Sequence, residues 1–266
     1  MTRTRVRGIE MSYEMEGSGP PVVLLHGYPF NRTMWREQAE ALSQSFRVIM
    51  PDLRGLGETE ASADEPATMT AMAQDVAALL DQLGIDRAML CGLSMGGYVA
   101  FAFTRRFPLR VRALVLADTR PQPDTDDARR AREEQARKVL DEGMKAVSDD
   151  VLQKSLAPAT LYSRPDIVER VREMILSTKP EGAAAALRGM AARSDQTQFL
   201  PNIIAPTLIF VGSEDGITPP ADAEVMRREI RGSRLEIIPG AGHVSNLERP
   251  QEFNRALMEF LRALQP

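Results

Sequence analysis

The sequence predicts an α/β protein in which a mostly parallel sheet carries helices on both faces. Short apolar runs alternate with helix-length amphipathic stretches, which is the pattern of repeated βαβ units. Runs such as residues 22–25 are apolar at every position, as expected for strands buried on both sides. The length of 266 residues suits one large domain, or one domain with an insertion.

The first half of the chain contains the most regular part of this pattern. Apolar runs predict strands over residues 11–16, 22–25, 47–50, 88–91 and 113–117. Amphipathic periodicity predicts helices, between or after those strands, over residues 34–43, 72–83 and 97–107. Each helix therefore connects two strands of the predicted sheet.

The pattern changes after Asp118. Residues 120–199 contain no convincing strand, and their charged or alanine-rich helical segments are interrupted by Pro158, Pro165 and Pro180. Acidic and basic residues nearly cancel there and recur four positions apart, which is typical of solvated helix faces rather than of a binding patch. We therefore predict a helical insertion that splits the sheet in the sequence.

Strand patterns resume after the insertion, over residues 207–211 and 235–238. A helix is predicted over 219–230, because Thr218 and the two prolines after it are suited to a helix start. A last helix is predicted over 250–264.

Composition limits the possible partners and locations. The formal net charge of −4 gives no electrostatic reason to bind nucleic acid or an anionic membrane, so a small molecule is the expected partner. Cys91 is the only cysteine, which excludes an intrachain disulfide and suits a reducing compartment, and we expect it to be a core residue. Neither a signal-peptide core nor a run of membrane-spanning length is present. We predict a cytoplasmic monomer or small homo-oligomer.

Ser94 is the candidate nucleophile. It lies in Gly92-Leu93-Ser94-Met95-Gly96, between a predicted strand and a predicted helix. A serine on such a tight turn, flanked by glycines, projects from the fold into a cleft where its hydroxyl can attack a substrate. A serine hydroxyl needs a general base near neutral pH, and histidine is the usual one.

The chain has two histidines, of which His243 is the better base. It follows the strand pattern at 235–238 in a glycine-containing loop, at the sheet edge where open α/β sheets bind ligands. His26 is expected to be structural. The Tyr28 N–H, just after it, and the Met95 N–H are the predicted oxyanion donors, and both side chains would line the acyl pocket.

A carboxylate should orient the imidazole of His243. Asp215 follows the strand pattern at 207–211 and lies between the serine and the histidine in chain order, which is the order expected for this arrangement. Asp118, at the end of the preceding strand, could substitute for it geometrically. Glu214 is adjacent to Asp215 but should point the other way.

Other kinds of site are not predicted. Residues 52–57 contain glycines but lack the Lys and Ser/Thr of a phosphate loop, which leaves a structural turn as the expectation. One cysteine and two histidines provide no zinc-ligand spacing. We therefore predict neither a metal nor a cofactor.

Five stretches of the sequence resemble the α/β-hydrolase superfamily: residues 23–29, 52–57, 92–97, 212–215 and 240–243. The resemblance covers the chain except for the insertion. It implies an eight-stranded sheet, a core domain of residues 1–119 and 200–266, and a helical cap of residues 120–199. Within the superfamily the chain is most similar to bacterial carboxylesterases and 3-oxoadipate enol-lactonases, which share the motif at residues 92–98, while residues 244–246 are closer to the lactonase pattern.

The leading hypothesis is a serine carboxylesterase that hydrolyses small, fairly apolar esters through an acyl-enzyme. An enol-lactonase would use the same chemistry on a cyclic ester that carries a carboxylate, and would need a basic residue in the cleft, for which Arg120, Arg188 and Arg193 are candidates. A cofactor-free perhydrolase, in which hydrogen peroxide replaces water, is a third hypothesis. A non-catalytic ligand-binding protein on the same fold is the alternative outside enzymes.

Overall fold

The sheet of the computed structural model contains eight strands within residues 1–61 and 67–264, the part of the chain that the structure describes. In chain order they are β1 (Thr2–Val6), β2 (Ile9–Glu16), β3 (Pro21–Leu25), β4 (Arg47–Pro51), β5 (Ala88–Leu93), β6 (Val111–Ala117), β7 (Thr207–Gly212) and β8 (Arg234–Ile238). The predicted core ranges also include residues 62–66 and 265–266, which lie outside the described residues.

The spatial order of the strands is β1-β2-β4-β3-β5-β6-β7-β8. The pairs β1–β2 and β2–β4 are antiparallel, and every other pair is parallel. The predicted mostly parallel eight-stranded sheet is therefore confirmed. The central strands β5 and β7 are buried at every position, as their continuous apolar patterns indicate, and Cys91 is one of these buried residues.

The residue pattern predicts only seven of these strands, because β1 has almost no apolar signal. Of its five residues only Val6 is buried, and the others are polar residues on the edge of the sheet. A tight turn at Arg7 and Gly8, both with positive φ, pairs Val6 with Ile9 and sets the register of this hairpin. An edge strand of this kind is held by its turn and backbone pairing rather than by apolar burial.

The described residues form eleven α-helices. They are α1 (Arg36–Leu42), α2 (Met69–Gln82), α3 (Met95–Arg106), α4 (Asp126–Glu142), α5 (Lys145–Ser155), α6 (Pro158–Ser163), α7 (Pro165–Leu176), α8 (Pro180–Ala191), α9 (Pro220–Glu229), α10 (Ser245–Glu248) and α11 (Pro250–Arg262). Short 3-10 turns cover Arg32–Trp35, Pro108–Arg110 and Thr197–Asn202. No helix of the described residues has the length and apolar character needed to span a membrane.

Helices cover both faces of the sheet because the chain reverses its direction across the strands. It passes from β3 to β4 in one direction and from β4 to β5 in the other, so right-handed crossovers place α1 and α2 on opposite faces. Helix α11 packs against α1, and α3 packs against α2. The reversal lies between β3 and β5, where ligands of open α/β sheets bind.

Two predicted helix starts differ from the structure because of local capping. The pattern at 34–43 begins within the 3-10 turn Arg32–Trp35, in which the Asn31 side chain accepts the Thr33 N–H, and becomes α-helical only at Arg36. Helix α2 begins three residues before its predicted start, since the Thr68 hydroxyl accepts the Ala71 N–H.

Helices α4 to α8 all lie between β6 and β7, within residues 120–199. Several contacts fix them to the sheet-bearing part of the chain. The Thr178 hydroxyl donates to the Pro29 carbonyl at 2.6 Å, and Gly182 lies against Gly55 so closely that a Cβ there would be 1.7 Å from the Gly55 oxygen. The division into a core and a cap at 120 and 199 stays a prediction.

Candidate active site

Ser94 lies at the turn between β5 and α3 with φ 53° and ψ −113°. This left-handed backbone is uncommon for a residue other than glycine and is strained. The turn closes only because its neighbours lack side chains: a Cβ at Gly92 would lie 2.2 Å from the Gly96 oxygen, and one at Gly96 would lie 2.1 Å from the Leu25 oxygen. The glycines of the motif therefore let Ser94, which is partly exposed, project from the end of β5.

Neighbouring backbone groups hold this strained turn. The Ser94 N–H donates to the Ala117 carbonyl at 2.9 Å, and the Thr119 hydroxyl donates to the Ser94 carbonyl at 2.9 Å. Both acceptor and donor come from the end of β6 or just after it, so the strand beside β5 fixes the position of the serine. Sequence reasoning missed the contribution of Thr119, because nothing in its local pattern indicates a contact 25 positions away.

His243 joins Ser94 to Asp215 through two hydrogen bonds. Its Nε2 atom lies 2.8 Å from the Ser94 Oγ, and its Nδ1 atom lies 2.8 Å from the Asp215 Oδ2. The Asp215 carboxylate has no proton to donate, so Nδ1 carries the hydrogen and Nε2 is left to accept the Ser94 proton. The three side chains come from three separate loops, after β5, β7 and β8.

The loop that carries His243 is fixed by residues far from it in sequence. The His243 N–H donates to the Ser155 carbonyl at 2.9 Å, at the end of α5. The buried Glu248 accepts the Gly242 N–H at 2.7 Å and the Ala157 N–H at 3.0 Å. Sequence reasoning did not single out Glu248, which ties the histidine loop to the segment between α5 and α6.

Asp215 is held in its ionised form by donors on three sides. Its Oδ1 atom accepts the N–H groups of Ile217 and Thr218 at 2.8 and 2.9 Å, and its Oδ2 atom accepts the Thr218 hydroxyl at 2.7 Å. Burial raises the pKa of this carboxyl, but the His243 charge and these hydrogen bonds outweigh it, so the pKa lies below its usual value. Thr218, predicted only as a helix-start residue, is therefore also a partner of the candidate acid.

Asp118 and Glu214 do not occupy this position. Asp118 accepts the Gly212 N–H at 2.9 Å and the Ser245 hydroxyl at 2.6 Å, and neither of its oxygens bonds His243. Burial and then the charge of Asp215 raise the pKa of Asp118 to about 8. Glu214 is exposed, on the opposite side of the backbone from the buried Asp215. Asp215 therefore bonds the imidazole, whereas Asp118 bonds Gly212 and Ser245 instead.

His26 is fully buried and both of its ring nitrogens have backbone partners. Its Nε2 atom accepts the Leu53 N–H at 2.9 Å, so Nδ1 carries the hydrogen and donates to the Gly27 carbonyl at 2.9 Å. Burial, opposed by the charge of Asp52, lowers the pKa of this imidazole and keeps it neutral. His26 therefore fastens the loop after β3 to the turn after β4.

The two candidate oxyanion donors lie on neighbouring strand ends. Tyr28 follows β3, and Met95 is the first residue of α3, beside Ser94. The first N–H groups of a helix have no partner within the helix, and the helix dipole favours negative charge there. The Tyr28 N–H, likewise, donates to no protein group in the described part of the chain. Both amides are therefore free to receive a developing oxyanion, and that role stays a prediction.

The three arginines considered for an anionic substrate have different surroundings. Arg188 pairs with Glu133 on an exposed surface. Arg193 is almost fully buried, stacks over the Tyr98 ring at 4.2 Å and pairs with Asp124 at 2.8 Å. The charge of Arg120 acts on the triad, because it lowers the pKa of His243, although less than burial does. Of the three, Arg120 is the one whose field reaches the candidate base.

Arg132 is a further cation that sequence reasoning missed. It lies on helix α4 and forms an ion pair with Asp124. Burial raises the pKa of the Tyr28 phenol, and the charge of Arg132 lowers it by a smaller amount. The Tyr28 hydroxyl is buried and has no hydrogen-bond partner within the described residues. The exposed, nearly neutral charge pattern of α4 gives no signal for this inward arginine.

Comparison with known proteins agrees with this fold and arrangement. A family model described as the alpha/beta hydrolase fold matches residues 20–250. The chain is 44% identical to a thermophilic esterase from Thermogutta terrifontis whose structure contains malate, with a TM-score of 0.95 and coverage of 100% of this chain and 98% of that one.

Two enol-lactonases are also similar over nearly the whole chain. The enol-lactonase structure from Burkholderia xenovorans is 31% identical, with a TM-score of 0.92 and coverage of 98% of this chain and 100% of that one. The 3-oxoadipate enol-lactonase 1 of Acinetobacter baylyi is 28% identical over 264 residues, which is 98% of this chain and 97% of the relative. Sequence similarity thus includes both reaction classes considered from the sequence.

Proposed function

The chain belongs to the α/β-hydrolase family, and from this premise we propose that it is a serine carboxylesterase acting on small, fairly apolar carboxylic esters. The observation that carries the proposal is the continuous hydrogen-bonded line from the partly exposed Ser94 through His243 to Asp215, with both bonds at 2.8 Å. A base within this distance of a serine hydroxyl, oriented by a carboxylate, is the arrangement that acyl transfer requires.

In the proposed reaction the Ser94 oxygen attacks the ester carbonyl while His243 takes the serine proton. The carbonyl oxygen becomes an oxyanion and receives the N–H groups of Tyr28 and Met95. Collapse of the tetrahedral intermediate breaks the bond to the alcohol, which leaves with the proton from His243, and an acyl-enzyme remains on Ser94. Water then attacks the acyl group, with the same histidine as base, and releases the carboxylic acid.

A neutral, fairly apolar ester suits the charge balance near the site. The candidate cations Arg120, Arg132 and Arg193 all contact Asp124, so none is an isolated charge awaiting a substrate carboxylate. The greater identity to the esterase relative, 44% against 31% for the enol-lactonase structure, supports the same choice.

Hydrolysis of an anionic lactone is the second candidate, and the position of Arg120 favours it. The Arg120 side chain is partly exposed, its charge reaches His243, and its pairs with Asp124 and Asp222 are long, at 3.5 and 3.9 Å. A substrate carboxylate could replace these weak pairs.

Turnover of two substrates separates the proposals. We expect hydrolysis of 4-nitrophenyl butyrate at a kcat/KM well above that for an anionic enol-lactone, together with a single fluorophosphonate adduct on Ser94. Folded protein that forms no adduct would contradict any serine-hydrolase function and would favour a non-catalytic binding protein.

A matched pair of variants tests the lactonase candidate. If Arg120 binds a substrate carboxylate, Arg120→Met should lower kcat/KM for the lactone by about 10-fold to 100-fold, and leave the neutral ester nearly unchanged, because a charge-assisted hydrogen bond is lost. Arg188→Met removes an exposed arginine paired with Glu133 and is the control. Equal effects of the two variants on the lactone would exclude the role of Arg120.

The pH profile should show an acidic limb set by His243. Burial lowers the pKa of its imidazole, but the charge and hydrogen bond of Asp215, with a smaller effect of Asp118, outweigh burial and raise the pKa above 6.5. Protonated imidazole cannot accept the Ser94 proton, so kcat/KM should be full above the raised pKa and fall tenfold per pH unit below it. Initial rates with a neutral ester measure this, and a limb centred below 6.5 would contradict the raised pKa.

A further inference from the structure

A cavity lies beside α3. Its volume is about 620 Å³, within the range of small-molecule sites. One wall is the face of α3 that carries Tyr98, Phe101 and Arg105, and the other walls come from the start of α2, the end of α8 and the segment after β6. Neither the triad residues nor Tyr28 and Met95 line it. We call it the α3 cleft.

Four arginines line the α3 cleft: Arg105 and Arg106 from the end of α3, Arg120 after β6, and Arg193 after α8. Its lining residues include no aspartate or glutamate. Arg105 and Arg106 are exposed, and in the described residues neither takes part in an ion pair. The positive charge of the cleft is therefore not balanced by its own walls.

The arginines that surround Asp124 outnumber their carboxylate partners. Asp124 is buried and pairs with Arg120, Arg132 and Arg193 at once, so a single carboxylate serves three guanidinium groups. Among the described residues only Arg120 of these three has a second acid, Asp222. The Arg193 side chain is 4% exposed, and its Nε–H donates to nothing in the described part of the chain. A buried donor without a partner is costly unless a ligand or water satisfies it.

The start of α2 adds a further preference for negative charge. Met69 and Thr70, the first two residues of this 14-residue helix, line the α3 cleft. Their N–H groups lie at the positive end of the helix dipole, and the first amides of a helix lack partners within it. The Ala71 N–H is capped by the Thr68 hydroxyl, and no described residue caps the N–H groups of Met69 and Thr70.

The remaining walls combine polar side chains, such as those of Thr70, Ser194 and Gln196, with apolar ones. Met69, Ala102 and Ala192 are among the apolar lining residues, so a ligand that filled the cleft would bury hydrocarbon as well as charge. A bare inorganic anion would use the guanidinium groups and leave this apolar surface unfilled.

We propose that the α3 cleft binds small organic carboxylates with an apolar body, at a site separate from Ser94. The carboxylate lies among Arg105, Arg106 and Arg193, and the hydrocarbon body packs on Ala102 and Ala192. This assignment does not depend on the proposed esterase function, because it rests on the cleft's own charges and walls.

Calorimetric titration of the whole protein with 3-phenylpropionate tests the site, at constant ionic strength. We expect saturable binding that weakens about tenfold or more in Arg105→Ala/Arg106→Ala, since two charge-assisted contacts are lost. Ala192→Phe should weaken binding similarly by filling the cleft without changing charge. Arg231→Ala, which removes an exposed arginine of the α9–β8 turn, is the control and should bind as the wild type does.

Each other outcome overturns the proposal. Binding that survives both cleft variants and competes with ester turnover would place the carboxylate at Ser94 instead. Inorganic phosphate that binds as tightly as 3-phenylpropionate would show a plain anion site, and absence of binding to the wild type would show no site. Fluorophosphonate labelling of Ser94, measured on the same variants, tests the proposed function separately. A failure of carboxylate binding can therefore be distinguished from a failure of the serine-hydrolase proposal.

Discussion

Replacement of Ser94 by alanine should lower kcat for a neutral ester by about 10⁴-fold to 10⁶-fold while the protein stays folded. The hydroxyl that forms the acyl-enzyme is lost, so His243 has no proton to take, and only the oxyanion donors remain to assist attack by water. The side chain is small and partly exposed, and its loss removes a single bond to His243, so we expect little change in stability.

Release of 4-nitrophenol from 4-nitrophenyl butyrate measures this effect, with circular dichroism as the test of folding. Ser213→Ala is the matched control, because Ser213 lies in the loop after β7 and its hydroxyl accepts the Gly240 N–H without touching the triad. The control should keep near wild-type turnover and the fluorophosphonate adduct. A Ser94→Ala protein that hydrolyses the ester at the wild-type rate would exclude Ser94 as nucleophile.

The second large effect is expected from Asp215→Asn, which should lower kcat by about 10⁴-fold. Asparagine keeps the size of the side chain, but its amide nitrogen can donate to His243 Nδ1. That bond would place the imidazole hydrogen on Nε2, where it faces Ser94 and blocks proton transfer. The charge that stabilises the imidazolium and raises the pKa of His243 is lost as well.

Asp118→Asn is the control that separates the two aspartates. Asp118 bonds Gly212 and Ser245 rather than His243, and asparagine can keep both contacts, so we expect a loss of kcat of about 10-fold at most. Steady-state kinetics of the two variants at a pH above the acidic limb makes the comparison. Equal losses would mean that Asp118 is as close to the reaction as Asp215.

The apolar pattern of the sequence predicted seven strands and missed β1, which has a single apolar residue. Residues 208–211 are apolar throughout, and β7 is found there. β1 has a polar, largely exposed sequence, and its place is set by antiparallel pairing with β2, which no single-strand pattern encodes. Helix starts shifted by a few residues where a side chain such as Thr68 or Asn31 caps the first turn.

Candidate site residues were predictable where a motif ties a residue to a strand end. Ser94 could be recognised because the glycines around it are required by a turn in which a Cβ would meet backbone about 2 Å away. The choice of His243 over His26 followed from loop position, and the geometry explains it: both nitrogens of His26 are used by the backbone. Glu248, Thr218 and Arg132 had no such signal, because each acts through a partner from another loop or helix.

The sequence by itself determined which residues could be nucleophile, base and acid, and that parallel strands would carry them to one edge of the sheet. This follows because local turns and apolar periodicity are properties of short stretches of chain. Only the tertiary structure decided that Asp215 rather than Asp118 reaches His243, and that three arginines share Asp124 beside the α3 cleft. Those choices depend on distances of a few ångströms between segments far apart in the chain, which packing alone fixes.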